Sequence, residues 1–430
     1  MPEERFERDA GAIVRTLRVG GEQFSTRLCE TVSDGSPRRA WWRSFLTGPK
    51  VGEAPDAEPL GIVDLFSGCG GLALGIAEAV KAVGRSPVFE LAADVDEGAL
   101  AVHRTNLDTK VTRHTSVDAM IDFEVLGVGA EAEFAYPPEA IDPALEALVG
   151  KVDILCAGPP CQGHSNLNNH SRRADPRNLL YLTVPAIAVA LGARRVIVEN
   201  VPDVRHDHHG VVDTATRLFE SSGYNVAEIV WDAAEFGWPQ RRKRFFLIAT
   251  LDRAVTPENT RTALAAPPEG VFWAISDLED QAGDDAFTGP ATLNDDNVAR
   301  IDWLFERGAY NLGNEVRPDC HKDGHTYPSV YGRLRPDEPS GTVTTGFMTP
   351  GRGRYIHPTR RRVITAHEAA RIQGFPDWWR FASPEVPVPT RKMLSKWIGD
   401  AVPSILGYAT GLAALTDHEP TPMDTDAIAA

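Results

Sequence analysis

The stretch Ala157-Gly158-Pro159-Pro160-Cys161-Gln162-Gly163-His164-Ser165 puts a thiol just beyond the apolar run Val152 to Cys156. The run predicts a buried parallel strand, and two prolines stop it and stiffen the turn behind it. Cys161 is thereby presented at a strand's carboxyl end, where open α/β sheets bind ligands. A thiolate there is a strong nucleophile and a candidate covalent catalyst; the competing reading is a small buried hydrophobe. Glu199-Asn200 ends a second apolar strand, Arg195 to Val198, close to that loop, and a carboxyl group so placed suits proton chemistry. Four cations, Arg241-Arg242-Lys243-Arg244, run directly into a strand ending at Thr250. Such runs are usually solvated faces, but the adjoining strand argues for a fixed placement.

These groups need a frame. The strand Gly61 to Phe66 enters Ser67-Gly68-Cys69-Gly70-Gly71 and a helix through about Val83. Glycines let a backbone come close to a ligand, and a helix start offers free amides and a positive dipole end. The loop matches neither the dinucleotide fingerprint nor the phosphate-loop signature, yet it reads as a nucleotide-like cofactor loop. The next strand, Val88 to Ala93, ends in Asp94-Val95-Asp96: Asp94 can take both hydroxyls of a ribose while Asp96 caps a helix over Glu97 to Asn106. Further helices are expected up to Leu191, over Ala366 to Gln373 behind a Thr365 cap with Glu368, and within Lys392 to Leu415. Between about Leu251 and Ser340 this alternation fades into Pro-, Gly- and Asp-rich sequence, which reads as a smaller domain. Thr342, Thr344 and Thr345 follow, then the basic loop with Arg352 and Arg354.

The formal net charge of −16 speaks against a nucleic-acid partner in sum, but the charge is unevenly spread. Acidic residues gather over 131–146, 279–285 and 417–426, whereas 172–173, 241–244 and 352–362 are basic, so phosphates can still be gripped locally. Five scattered cysteines fit a reducing cytoplasm better than a disulfide framework. No run of about 18 apolar residues or secretory signal is expected. No metal is expected either: His206-Asp207-His208-His209 reads as a solvated loop, and Cys320-His321 with His325 lacks a fourth ligand. In the first 58 residues the concentrated feature is Arg38-Arg39-Ala40-Trp41-Trp42-Arg43, read as a docking helix ahead of a base-stacking surface.

Taken in order from Gly61 to Leu415, these motifs resemble the cytosine carbon-5 DNA methyltransferases of bacterial type. Asp64 to Gly71 looks like the cofactor loop, Gly158-Pro159-Pro160-Cys161-Gln162 like the nucleophile motif, Glu199-Asn200-Val201 like the acid motif and Gln240 to Arg244 like the glutamine-x-arginine-x-arginine motif. Glu368 to Arg371, Gly374-Phe375-Pro376 and Gly399 to Pro403 complete the series, with Asp400 where asparagine is usual. The resemblance implies a Rossmann-like α/β methyltransferase domain with a mostly parallel seven-stranded sheet, plus a smaller target-recognition domain. Expected boundaries are an extension over 1–58, the catalytic domain over 59–250, recognition over 251–355, a return to the catalytic domain over 356–415 and an acidic tail over 416–430.

It further implies S-adenosylmethionine as donor, held by Phe66, Ser67, Gly68, Gly70, Gly71, Asp94, Val95, Leu180, Asp400 and Ala401. Cys161 would add to carbon 6 of a flipped-out cytosine, a protonated Glu199 would serve ring nitrogen 3, and Arg244 would hold the carbonyl oxygen with Arg242 beside Cys161. Double-stranded DNA would meet Gln162, Ser165, Gln240, Thr342, Thr344, Thr345, Arg352 and Arg354, the protein acting as a monomer. An accompanying restriction endonuclease is left open. The rival readings are a modified donor, an RNA or nucleotide substrate, and a silent DNA-binding relative. Cys161, Glu199, Arg242 and Arg244 together argue against silence, and the arginine-rich Thr342 to Arg362 argues for duplex DNA.

Overall fold

The structure, a computed structural model, describes residues 2–32, 35–50, 56–160, 176–281, 283–322 and 329–416. It begins with an antiparallel three-stranded sheet, β1 (Glu3–Asp9), β2 (Ala12–Val19) and β3 (Glu22–Cys29), followed by helix α1 (Pro37–Thr47). Ser36 caps α1 by accepting from the Arg39 amide, and Pro37 occupies its first turn. Trp41 and Trp42 on α1 are buried, in keeping with a docking helix.

The central sheet takes β4 (Pro59–Leu65), β5 (Ser86–Asp94), β6 (Val111–His114), β7 (Ile154–Ala157), β8 (Arg195–Asn200), β9 (Asn225–Asp232) and β10 (Lys243–Thr250). Their order is β9-β10-β8-β7-β4-β5-β6. Strands β5 to β8 pair in parallel through β4 and β7, while β10 runs antiparallel to both β8 and β9. Helices on both faces make β7 a continuous apolar run, every residue of which is buried. The mostly parallel seven-stranded sheet is the one anticipated.

Helices α2 (Gly71–Ala82), α3 (Glu97–Leu107), α4 (Thr183–Leu191), α5 (Val211–Ser221), α6 (Ala366–Gln373), α7 (Arg391–Asp400) and α8 (Ser404–Thr416) complete the frame. The stretch Arg391–Thr416 is long and apolar enough to cross a membrane by length and composition alone. It is mostly buried inside the fold, as α8 packs along α2. A Cβ on Gly75 would lie 2.0 Å from the Ser404 carbonyl oxygen and one on Gly407 2.4 Å from that of Leu72, so only glycines let these backbones meet. The N-terminal unit then closes over α8: the Arg15 guanidinium lies 4.7 Å from the Trp41 ring and 5.2 Å from that of Tyr408, whose hydroxyl donates to Glu4.

Between β10 and α6 the chain is largely irregular. Its helix Asp295–Glu306 feeds a small core of Ile301, Leu304, Leu312, Ile356 and Val363, whereas Val343 and Phe347 belong to the main core. Thr365 and Glu368 form the capping box of α6. Glu368 also receives both Arg362 amino groups at 2.7 Å, and its pKa falls to about 2 against the opposing effect of burial. Among the described residues Cys29, Cys69, Cys156 and Cys320 are free and no His, Cys, Asp or Glu cluster could hold a metal.

Candidate active site

The carboxyl ends of β4, β5, β7 and β8 open onto one cavity of about 290 Å³. The glycine loop contributes Phe66, Ser67, Gly68 and Gly71, the end of β5 contributes Asp94 and Val95, and the end of α7 contributes Asp400 and Ala401. Pro159 and Pro160, Glu199 and Arg244 line the same space. Two expected donor contacts stand apart from this lining. Gly70 (φ +92°) caps α2 with its α-carbon face against His103, Trp379 and Leu107, and Leu180 sits in the 3-10 turn Pro176–Leu182. Gly71 is required for close approach, since a Cβ there would lie 2.6 Å from the Val402 carbonyl oxygen.

Asp94 does two jobs at once. Its carboxylate accepts from the Gly68 amide and from the Asp96 amide, each at 2.8 Å, and burial raises its pKa despite those bonds. Each carboxylate oxygen keeps a further acceptor site for a ligand. Asp96 accepts from the Ala99 amide at 3.0 Å and so caps α3.

Lys396 and Trp397 were missed by sequence reasoning. The Lys396 ammonium bridges Asp96 at 3.2 Å and Asp400 at 3.3 Å, and the Trp397 indole donates to Asp96 at 3.3 Å. The Lys396–Asp400 spacing of one helical turn was the available signal; the partner 300 residues upstream had none. Lys396 balances the charge that Asp400 adds to the cavity. Asp64, also on the lining, is buried against His103, whose Nε2 lies 3.0 Å away and whose Nδ1 meets Thr109 at 2.9 Å.

Glu199 pairs with Arg244 Nε at 2.7 Å on the cavity wall. Burial raises the Glu199 pKa and outweighs the opposing pull of Arg244 and Arg242. Arg242 and Gln240 do something other than expected. Arg242 is buried and donates to the carbonyl oxygens of Val343, Gly399 and Asp400 at 2.7, 3.1 and 3.2 Å. Gln240 is fully buried and donates to Gln373 at 3.0 Å, which removes it from any DNA-facing surface in this structure. Along a strand entry side chains alternate, so positions 240, 242 and 244 point inward while Arg241 and Lys243 are exposed.

Cys161, Gln162 and Ser165 lie outside the described residues, as does His325. Of the remaining DNA candidates, Thr345 and Arg352 are exposed, Thr342 donates to the Arg241 carbonyl at 3.2 Å, and Thr344 shares a hydrogen bond with the Tyr355 hydroxyl at 2.9 Å. Arg354 is partly buried, and its guanidinium donates to the carbonyls of Tyr310 and Arg333, both at 2.8 Å, and to Asn311. Arg354→Ala is expected to lower stability by about 1.5–3 kcal/mol, the worth of bonds to a charged donor. Arg352→Ala should leave melting unchanged and either relax base preference at one position or weaken all DNA alike with a flatter salt dependence. Thermal melts and methylation profiles at two salt concentrations separate the two arginines.

The cavity suits a nucleoside-bearing donor. Ser67 Oγ is buried on its lining with no hydrogen-bond partner, a Cβ on Gly68 (φ +51°) would meet open space, and Val95 is 67% exposed beside it. A polar orphan and a bare apolar flank are what a sugar and a planar base would cover.

This fold and site define a Rossmann-like methyltransferase. The family model for C-5 cytosine-specific DNA methylase matches residues 60–413. Type II methyltransferase M1.BsuMI of Bacillus subtilis (strain 168) is 39% identical over 359 residues, covering 83% of this chain and 81% of that one. Type II methylase M.HgiDII of Herpetosiphon aurantiacus is 32% identical over 274 residues, 60% of this chain and 73% of the relative. The crystal structure of S. pombe Dnmt2 methyltransferase superposes with a TM-score of 0.54 at 18% identity, over 82% of this chain and 98% of that one, a likeness of fold. The chain belongs to the C-5 cytosine-specific DNA methylase family and is a DNA cytosine methyltransferase.

Proposed function

We propose that the protein methylates carbon 5 of a cytosine flipped out of duplex DNA, with S-adenosylmethionine as donor, as the modification half of a Type II restriction system in a reducing cytoplasm. The observation that carries this reading is the Glu199–Arg244 pair on the wall of the cavity built by the glycine loop and Asp94. Bound there, S-adenosylmethionine supplies the methyl group. Ser67, Gly68 and Asp94 would hold its sugar side, Phe66 and Val95 its base, and Asp400 and Ala401 its far edge.

Cys161 follows Pro160 on the cavity wall, and its thiolate forms a bond to carbon 6. The electron pair displaced into the ring draws the Glu199 proton onto nitrogen 3, which leaves carbon 5 nucleophilic. Arg244 holds the ring's carbonyl oxygen and stabilises the charge that builds there. After carbon 5 is methylated its proton passes to solvent water, the electron pair it leaves re-forms the carbon 5–carbon 6 double bond and expels the thiolate, and nitrogen 3 returns its proton to Glu199. The Type II names of the relatives support a restriction partner.

Expression in a methylation-free host followed by bisulfite sequencing tests the reading. Protected cytosines in one sequence context are expected; unprotected DNA from a well-expressed protein overturns it.

Two further outcomes arise here. A carboxyl group with a raised pKa keeps its proton to a higher pH, so turnover should fall on the alkaline side at a pH above the ordinary 4.5 of glutamic acid. Glu199→Gln should lack that limb in a pH–rate profile. Asp94→Ala should weaken donor binding about tenfold or more, measured by calorimetry, because it loses charge-assisted bonds of about 1.5–3 kcal/mol. Unchanged affinity would leave Asp94 as a loop tether alone.

A further inference from the structure

A helix ends with carbonyl groups that have no partner further along it. At the end of α7 those of Ile398, Gly399, Asp400 and Ala401 are all taken by two buried side chains. Gln373 Nε2 donates to Ile398 at 2.5 Å and Ala401 at 3.0 Å, while Arg242 donates through Nη1 to Gly399 and through Nη2 to Asp400. A cation suits a helix carboxyl end, and a guanidinium fork reaches several acceptors at once. The same Nη1 donates to Val343, in the segment that precedes Thr344 and Thr345.

That segment is in direct contact with α7. Ser395 Oγ donates to the Thr345 carbonyl at 2.5 Å, and a Cβ on Gly399 would lie 2.3 Å from the Thr345 nitrogen. With no slack between them, a displacement of 343–345 must be passed to Asp400 and Ala401 on the cavity lining.

We propose that Arg242 is a positioning residue that couples the donor cavity to target reading, by holding Gly399 and Asp400 on one side and Val343 on the other. The inference rests on the reading above, in which the cavity takes the donor and 342–345 faces DNA. Coupling between two binding sites is reciprocal: whatever factor DNA adds to donor affinity, donor adds to DNA affinity.

The experiment titrates S-adenosylhomocysteine into the protein with and without a duplex carrying the site found by bisulfite sequencing. The wild type should bind it about tenfold or more tightly when DNA is present. Arg242→Lys keeps the charge but loses the fork, and its factor should drop to about twofold or less. Gly399→Ala, with Arg242 intact, pushes α7 off Thr344 and Thr345 and should lose the factor too. Gln373→Leu frees Ile398 and Ala401, and the hydrogen bonds it removes run to those carbonyls and to Gln240 rather than to 343–345, so it should weaken donor binding with and without DNA alike and keep the factor.

A wild type without coupling overturns the inference, as does coupling retained in Arg242→Lys and Gly399→Ala, or lost equally in Gln373→Leu. If Arg242→Lys fails to fold, the wild type and Gly399→Ala decide alone. A wild type that binds no S-adenosylhomocysteine is a distinct result that overturns the functional reading and the inference with it.

Discussion

Cys161→Ala is expected to cut methyl transfer by about 10³-fold or more, with the melting temperature unchanged, because the covalent step has no second route. Pro159 and Pro160, the two residues that precede Cys161 in the sequence, line the cavity that Glu199 and Arg244 share. A duplex carrying 5-fluorocytosine gives an independent readout. Fluorine at carbon 5 cannot leave as a cation, so the sulfur–carbon 6 bond should persist and wild-type protein should migrate with the DNA on a denaturing gel. Cys161→Ala should form no such adduct. Transfer by the variant within about tenfold of wild type would remove the thiol from the mechanism.

Glu199→Gln should lower kcat by about 10²- to 10⁴-fold, the usual worth of a placed general acid, and should lower DNA affinity far less. The amide keeps a hydrogen bond to the ring but has no proton to give. The raised pKa of Glu199 comes first from burial, which opposes the pull of the two nearby guanidinium groups of Arg244 and Arg242. Equal losses in turnover and affinity would mark Glu199 as a binding group only.

Much of this site is legible in the sequence because it lies at strand ends. Asp94 and Glu199 each close an apolar run, and Asp96 announces itself as a helix cap two residues on. What the sequence hides is partnership over distance. Lys396 and Trp397 reach Asp96 across about 300 residues of chain, and no local pattern marks that partnership. The run 241–244 beside its strand reads as fixed in place and Arg354 as a DNA contact, but the partners that fix them are distant: Arg242 and Arg354 hold backbone carbonyls and Gln240 holds Gln373. The N-terminal sheet was illegible for another reason. Strand β1, Glu-Glu-Arg-Phe-Glu-Arg-Asp, turns just Glu4 and Phe6 part way inward, and β2 fills an inward position with Arg15, a cation held there by the rings of Trp41 and Tyr408 and by the Thr26 hydroxyl.

The backbone contact of α2 with α8 also dictates a timetable. Ser67 leaves the ribosome long before Val402, and at about 5–20 residues per second the interval is on the order of 20 to 70 s. During it the apolar side of α2 that α8 will cover has no mate, and the cavity lacks the wall that Asp400 and Ala401 supply. A nascent chain therefore holds its glycine loop open and its greasy flank bare, a natural client for a chaperone, and gains the ability to modify its own host's genome only once α7 and α8 have been made and have docked.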